Sequence, residues 1–193
     1  MIYINDHLDD FDLEAALPLL SAQRREQTLR FRYESGRRQC AAAYLLLCEA
    51  LRKEYGITEK PLFEYNEHGK PNLMFSSLHV PFSILHQIHF NISHCSEAAV
   101  CIVSDHPVGI DVESIRSYRP SLVSYTMNDA EQRQIAAAER PEVEFIRLWT
   151  QKEAVLKLRG TGLRNDMKTV LDDAPFVRTV IHSDYRYIYS VAE

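Results

Sequence analysis

Two carboxylates stand two residues apart in Gly109-Ile110-Asp111-Val112-Glu113, where Ile110 and Val112 alternate with the acids. In an extended chain this spacing puts Asp111 and Glu113 on one face with Cα atoms about 7 Å apart, near enough to share a cation through hard oxygen ligands. The same alternation also fits a strand whose acidic face is merely solvated. Further along, Glu153 and Lys157 are four apart, hence neighbours on one helix face, with Trp149 and Lys152 flanking them. An ordinary surface ion pair is the competing reading. Six arginines and no lysine fall between Arg24 and Arg38. They make a cationic cluster suited to bidentate phosphate contacts, or else the solvated side of a helix. Lys70 follows Gly69 and precedes Pro71, a tight turn where backbone can approach a ligand closely. His94 ends the run Phe90-Asn91-Ile92-Ser93-His94. Carboxylates, a lysine and a phosphate clamp together are the parts needed for magnesium-assisted chemistry at a phosphate, whether hydrolysis or transfer.

These residues need elements to hold them. Helical periodicity covers residues 18–32, and a stronger helix starts at a cap on Ser35, carries Ala41, Tyr44, Leu45, Cys48 and Leu51 on one face and stops at Gly56. Residues 63–65, 89–93, 98–103 and 108–113 are short β-rich runs bounded by turn chemistry. Residues 128–139 and 141–159 are helical, the latter stopped by Gly160, and residues 176–182 and 185–191 form a closing hairpin. Helices mixed with antiparallel strands predict an α+β fold.

Composition narrows the field. The 193 residues are 46% hydrophobic and 25% charged, as in a globular chain with a sizeable core. Net charge is −5, from 22 basic and 27 acidic residues, which argues against a protein that coats nucleic acid or anionic lipid. The longest apolar run, residues 41–48, is far short of the roughly 20 residues of a membrane span, and residues 1–12 lack the order of a signal peptide. A cytoplasmic protein is expected. Cys40, Cys48, Cys95 and Cys101 form no CxxC pair and predict buried free thiols.

Taken in order, Phe90-Asn91-Ile92-Ser93-His94, Gly109-Ile110-Asp111-Val112-Glu113 and Trp149-Thr150-Gln151-Lys152-Glu153-Ala154-Val155-Leu156-Lys157 resemble the three signatures of the surfactin-synthetase-activating type of 4'-phosphopantetheinyl transferase. Gly69-Lys70-Pro71 and Arg37-Arg38 sit where that family places coenzyme A contacts, so the resemblance spans about residues 30–162. It implies a pseudo-twofold pair of α+β lobes, here residues 1–105 on the coenzyme A side and 106–193 carrying the metal motifs, with the active site in the cleft between them. It implies Mg2+ held by Asp111, Glu113 and Glu153, and coenzyme A held by Arg37, Arg38, Lys70, Ser93 and His94. A serine of an apo acyl or peptidyl carrier protein would attack. Asp111, Glu153 and Lys157 would be catalytic: Glu153 or a metal-bound water takes the serine proton, and Lys157 steadies the departing 3',5'-ADP.

The expectation is a monomeric transferase that makes the holo carrier and binds neither nucleic acid nor membrane. A magnesium phosphodiesterase or nuclease would use the same carboxylates, but net −5 disfavours a polyanionic substrate. A non-catalytic carrier-binding module would have no need of all three acids together.

Overall fold

The computed structural model describes residues 1–75, 87–162 and 167–193. In chain order its elements are β1 (Ile2–Asn5), α1 (Leu13–Ala16), a 3-10 turn (Leu17–Leu19), α2 (Ala22–Leu29), α3 (Glu34–Tyr55), β2 (Leu62–Tyr65), β3 (Pro71–Met74), β4 (His89–His94), β5 (Ala99–Ser104) and β6 (Gly109–Ser114). These are followed by α4 (Pro120–Thr126), α5 (Asp129–Ala137), α6 (Pro141–Arg159), a 3-10 turn (Met167–Thr169), β7 (Val177–Ile181) and β8 (Tyr187–Ala192). All strand pairing is antiparallel, as the α+β expectation requires.

Two three-stranded sheets, ordered β1-β5-β4 and β6-β8-β7, accompany a separate β2-β3 hairpin. The long helix α3 packs on the first sheet and α6 on the second. β5 explains how the sheets share a core. Ala99, Cys101 and Val103 face Ala43, Leu47 and Leu51 of α3, whereas Val100 and Ile102 join Val108, Ile110 and Val112 in a second cluster. A strand buried on both faces reads as a continuous apolar run.

Between β4 and β6 the link is made by side chains. The Asn91 Oδ1 accepts from the Ile110 amide at 3.0 Å, and the Ser93 Oγ accepts from the Val112 amide at 3.3 Å. β6 in turn lies hard against α6: a Cβ on Gly109 would stand 2.1 Å from the Ala154 carbonyl oxygen and 2.5 Å from the Leu158 nitrogen. Only glycine permits that approach.

Local signals placed α6 well, from Pro141 in its first turn to a left-handed Gly160 at its end. Elsewhere the boundaries moved. The helix expected over 18–32 begins only after Ser21, whose side chain accepts from the Arg24 amide, because Leu20 is extended and Pro18 belongs to the 3-10 turn. Ser35 does not cap α3. The cap position is Tyr33, without a side-chain bond, and Ser35 lies inside the first turn, where Glu34 pairs with Arg38. Neither β1 nor α4 was anticipated, since four and seven residues are too few to show a period. All four cysteines are free, with Cys40, Cys95 and Cys101 buried and Cys48 partly so.

Candidate active site

β4, β6 and α6 bring the three motifs together. Asp111 is 4% exposed, which removes the solvated-face reading. Its Oδ1 accepts from the Lys157 ammonium at 2.6 Å and from the Ser93 hydroxyl at 2.9 Å, while Lys157 also donates to the Ser93 Oγ at 2.8 Å. Ser93 therefore spends its one proton on Asp111 and accepts from Lys157 and the Val112 amide. Residues 93, 111 and 157, far apart in the chain, form one knot. Lys157 is thus paired with Asp111 rather than making the surface pair with Glu153 that its helical spacing allowed.

The other two acids feel this crowding. Burial, reinforced by the Asp111 charge, raises the Glu113 carboxyl above its usual range. Burial and Asp111 push Glu153 up to about 7, against the opposing pull of Lys157. Two cavities meet at Lys157. One, of about 370 Å³, is lined by Arg24, Ser93, His94, Asp111 and Glu113, and the other, of about 280 Å³, by Gly69, Lys70 and Glu153.

His94 lies in the first cavity, edge-on to Phe31 with ring centroids 6.4 Å apart. Burial, helped by Arg24 and Lys157, pushes its imidazole down to about 4, so it is neutral at physiological pH. Lys70 donates to the Leu158 carbonyl at 2.9 Å, and Asn66 donates to the Gly160 carbonyl at 3.2 Å. The β2-β3 turn thereby caps the C-terminal end of α6, the end whose carbonyls lack helical partners.

Arg37 and Arg38 stand apart from both cavities. Arg37 donates to the Phe31 carbonyl, and Arg38 holds Glu34 and the Asp9 carbonyl. The arginine that does line the larger cavity is Arg24, which sequence reading did not separate from its neighbours. It is 5% exposed, donates to the Gln27 Oε1 and the Cys40 carbonyl, lies over the Tyr44 and Phe63 rings, and has no ion pair among the described residues. Its Nε is buried without a partner. The available signal was phase, since Leu20, Arg24, Thr28 and Phe31 recur at helical spacing on one side.

Lys152 was also missed as a structural element. It is fully buried, with its ammonium donating to Glu131 at 2.8 Å and to the carbonyls of Thr126 and Met167. Glu131 closes the capping box of α5 with Asn128. One lysine therefore fastens three segments to α6 beside Glu153.

Among the described residues no three His, Cys, Asp or Glu side chains converge closely enough to hold a metal ion as they stand. The donor set nevertheless fits a hard divalent cation. The Asp111 Oδ2 is buried with no hydrogen-bond partner, and Asp111 is close enough to both Glu113 and Glu153 for its charge to raise their proton affinity.

Comparison with known proteins agrees with this architecture. Residues 107–189 match the model of the 4'-phosphopantetheinyl transferase superfamily. The chain is 31% identical over 157 residues to 4'-phosphopantetheinyl transferase psf-1 of Bacillus pumilus, covering 78% of this chain and 62% of that protein. It is 34% identical over 145 residues to 4'-phosphopantetheinyl transferase gsp of Aneurinibacillus migulanus, covering 71% and 56%. With 4'-phosphopantetheinyl transferase Sfp of Bacillus subtilis strain 168 it shares 25% over 165 residues, 84% of this chain and 70% of that one. The part of this antiparallel α+β chain that carries Asp111, Glu113, Glu153 and Lys157 is therefore similar to the 4'-phosphopantetheinyl transferase superfamily, and the wider chain is similar to transferases of that type. The aligned stretches span 56–62% of the length of the first two of these relatives.

Proposed function

We propose that the protein transfers the 4'-phosphopantetheine group of coenzyme A to a serine hydroxyl of an apo acyl or peptidyl carrier protein. The serine oxygen bonds to the phosphorus of the pantetheine phosphate, the pyrophosphate P–O bond breaks, 3',5'-ADP leaves and the serine proton passes to a base. The observation that carries this reading is the knot of Ser93, Asp111 and Lys157 facing a cavity that also holds Arg24 and His94. Cations and acids share that pocket, as a pyrophosphate substrate requires.

Asp111, Glu113 and Glu153 would hold Mg2+, whose charge, when bound, offsets that of the pyrophosphate. Arg24 supplies a desolvated guanidinium that has no ion pair among the described residues and an Nε free to donate to a phosphate. Ser93 and His94 border the same cavity, and a neutral His94 donates without adding charge. Lys70 lines the smaller cavity and keeps ammonium protons for a ligand beside the one given to the Leu158 carbonyl, whereas Arg37 and Arg38 reach ligand only by reorienting. Glu153, titrating near neutral pH, is the residue suited to take the serine proton, and Lys157 to steady the 5'-phosphate of the leaving 3',5'-ADP. In this reading residues 1–105 form the coenzyme A side and 106–193 the metal side of a pseudo-twofold pair. The pairing of a long helix with a three-stranded sheet in each part supports it. The protein would act as a cytoplasmic monomer. No helix among the described residues is long and apolar enough to cross a membrane.

The test is incubation with apo carrier proteins, coenzyme A and Mg2+, followed by intact mass measurement. The carrier should gain one phosphopantetheine arm, and Asp111→Asn should abolish the gain. An unmodified carrier together with cleavage of plain phosphodiesters would establish the phosphodiesterase alternative instead.

A further inference from the structure

The ammonium of Lys157 lies where a cation bound to Asp111 would have to come close. It is 2.6 Å from the Asp111 Oδ1 and 2.8 Å from the Ser93 Oγ, and Ser93 is itself tied to Asp111. The second oxygen of Asp111 is buried and unused. No three acids among the described residues converge to metal distance while Lys157 is in place. We propose that Lys157 is a built-in competitor of the divalent cation, an internal ammonium that neutralises Asp111 in the metal-free protein and is displaced from it when the metal binds.

The inference rests on the divalent-cation reading above and adds an antagonism to it. Two positive charges sharing one buried carboxylate repel, and the repulsion is screened less inside a protein than in water. Binding of one must then weaken binding of the other by the same factor. Lys157 therefore lowers the cation affinity of the empty site while offsetting repulsion among Asp111, Glu113 and Glu153. Release of Lys157 from Asp111 also has a direction. The cavity beside it contains the Arg24 guanidinium, so a freed ammonium joins a second cation in the pocket, where the phosphates of a substrate would sit. Metal entry thus converts a structural ion pair into a mobile positive charge for the anion.

The experiment titrates Mg2+ and Mn2+ into metal-stripped protein at fixed pH and ionic strength, without coenzyme A or carrier, by calorimetry and by melting temperature. Lys157→Met should bind both metals about tenfold or more tighter than the parent protein, within the usual range for coupled sites. Its metal-free form should melt lower. Lys157→Arg keeps the charge and should stay near the parent affinity. Ser93→Ala keeps Lys157 but removes its second anchor, so it should tighten binding by a smaller factor, and it serves where the methionine variant does not fold without metal. Equal or weaker metal affinity in Lys157→Met, or in Ser93→Ala where that variant stands in, overturns the competitor role and leaves the metal site intact. If the parent and all variants take up neither metal, the divalent-cation reading fails and the competitor role with it.

Discussion

A lysine with no exposed surface is costly unless every proton of its ammonium finds an acceptor, and Lys152 has three: Glu131 and two carbonyls. Removing one partner leaves the other charge buried and unpaired. Lys152→Met should therefore cost about 3–5 kcal/mol in chemical denaturation, whereas Lys152→Met combined with Glu131→Leu should recover most of that loss. If the double variant is as unstable as the single one, the two carbonyls rather than the ion pair are what hold Lys152. The same logic separates Lys152 from Lys157, five positions on. Lys157 is partly exposed, opens into a cavity and shares its carboxylate with a serine, an arrangement suited to exchange of partners. Neighbouring letters of one motif thus have opposite physical roles. Lys152 fixes the helix, and Lys157 reaches from it to Asp111 and Ser93.

At the scale of elements, the site depends on how closely β6 lies on α6. Gly109 is the contact point, since any side chain there would run into the Ala154 carbonyl oxygen and the Leu158 backbone. Neither is the end of a flexible side chain, so strand or helix must move. Gly109→Ala should destabilise by about 1–3 kcal/mol or more, as overpacking does, measured by urea denaturation. Because Asp111 sits two residues along and Lys157 one residue before Leu158, activity should fall further than stability. Near-normal transfer by a destabilised Gly109→Ala protein would show that the Asp111 and Lys157 pairing tolerates displacement. The β2-β3 turn has the complementary task at the far end of α6, through Asn66 and Lys70. Strand and turn together set where the helix lies, and its side chains inherit that position.

For the molecule as a whole, opposed titrations shape stability against pH. His94 has a folded value of about 4 against an ordinary 6.5, so between those values the unfolded chain takes up a proton that the fold refuses. Stability is lost as pH falls through that window. Glu153 runs the other way. Its folded value of about 7 lies above an ordinary 4.5, so its favourable contribution is complete below 4.5 and is lost as pH rises to 7, with Glu113 shifted in the same sense. In metal-free buffer Glu153→Gln should therefore be more stable than the parent at pH 8, with the advantage gone by pH 4.5. His94→Gln should remove the loss on the acid side. Thermal melts across pH 4–8 check both, and an advantage of Glu153→Gln that persists unchanged at pH 4.5 would contradict the crowding of acids around Asp111. Burial of Glu113 and Glu153 near the Asp111 charge thus costs stability at alkaline pH in metal-free buffer.

Much of this was decided by short stretches of sequence. The bounds of α6 follow from a proline at its start, apolar positions along it and a glycine at its end, all signals acting over a few residues. The strand character of residues 89–93 and 108–113, and the carboxylate spacing on the latter, are equally local. So are the three ordered motifs, which is why the family resemblance was legible without coordinates. What the tertiary structure alone decided is which charges meet. Glu153 and Lys157 are neighbours by helical period, yet the ammonium goes to Asp111, 46 residues away. Among six arginines of one stretch, Arg24 turns inward to the cavity while Arg37 and Arg38 hold surface groups. Lys152 vanishes into the core, and Lys70 spends its charge on a helix end. Residue type and spacing specify what a side chain can do. Burial and long-range contact determine its partner, because the strength of a charge interaction depends on separation and on surrounding water, and both are set only when distant segments pack.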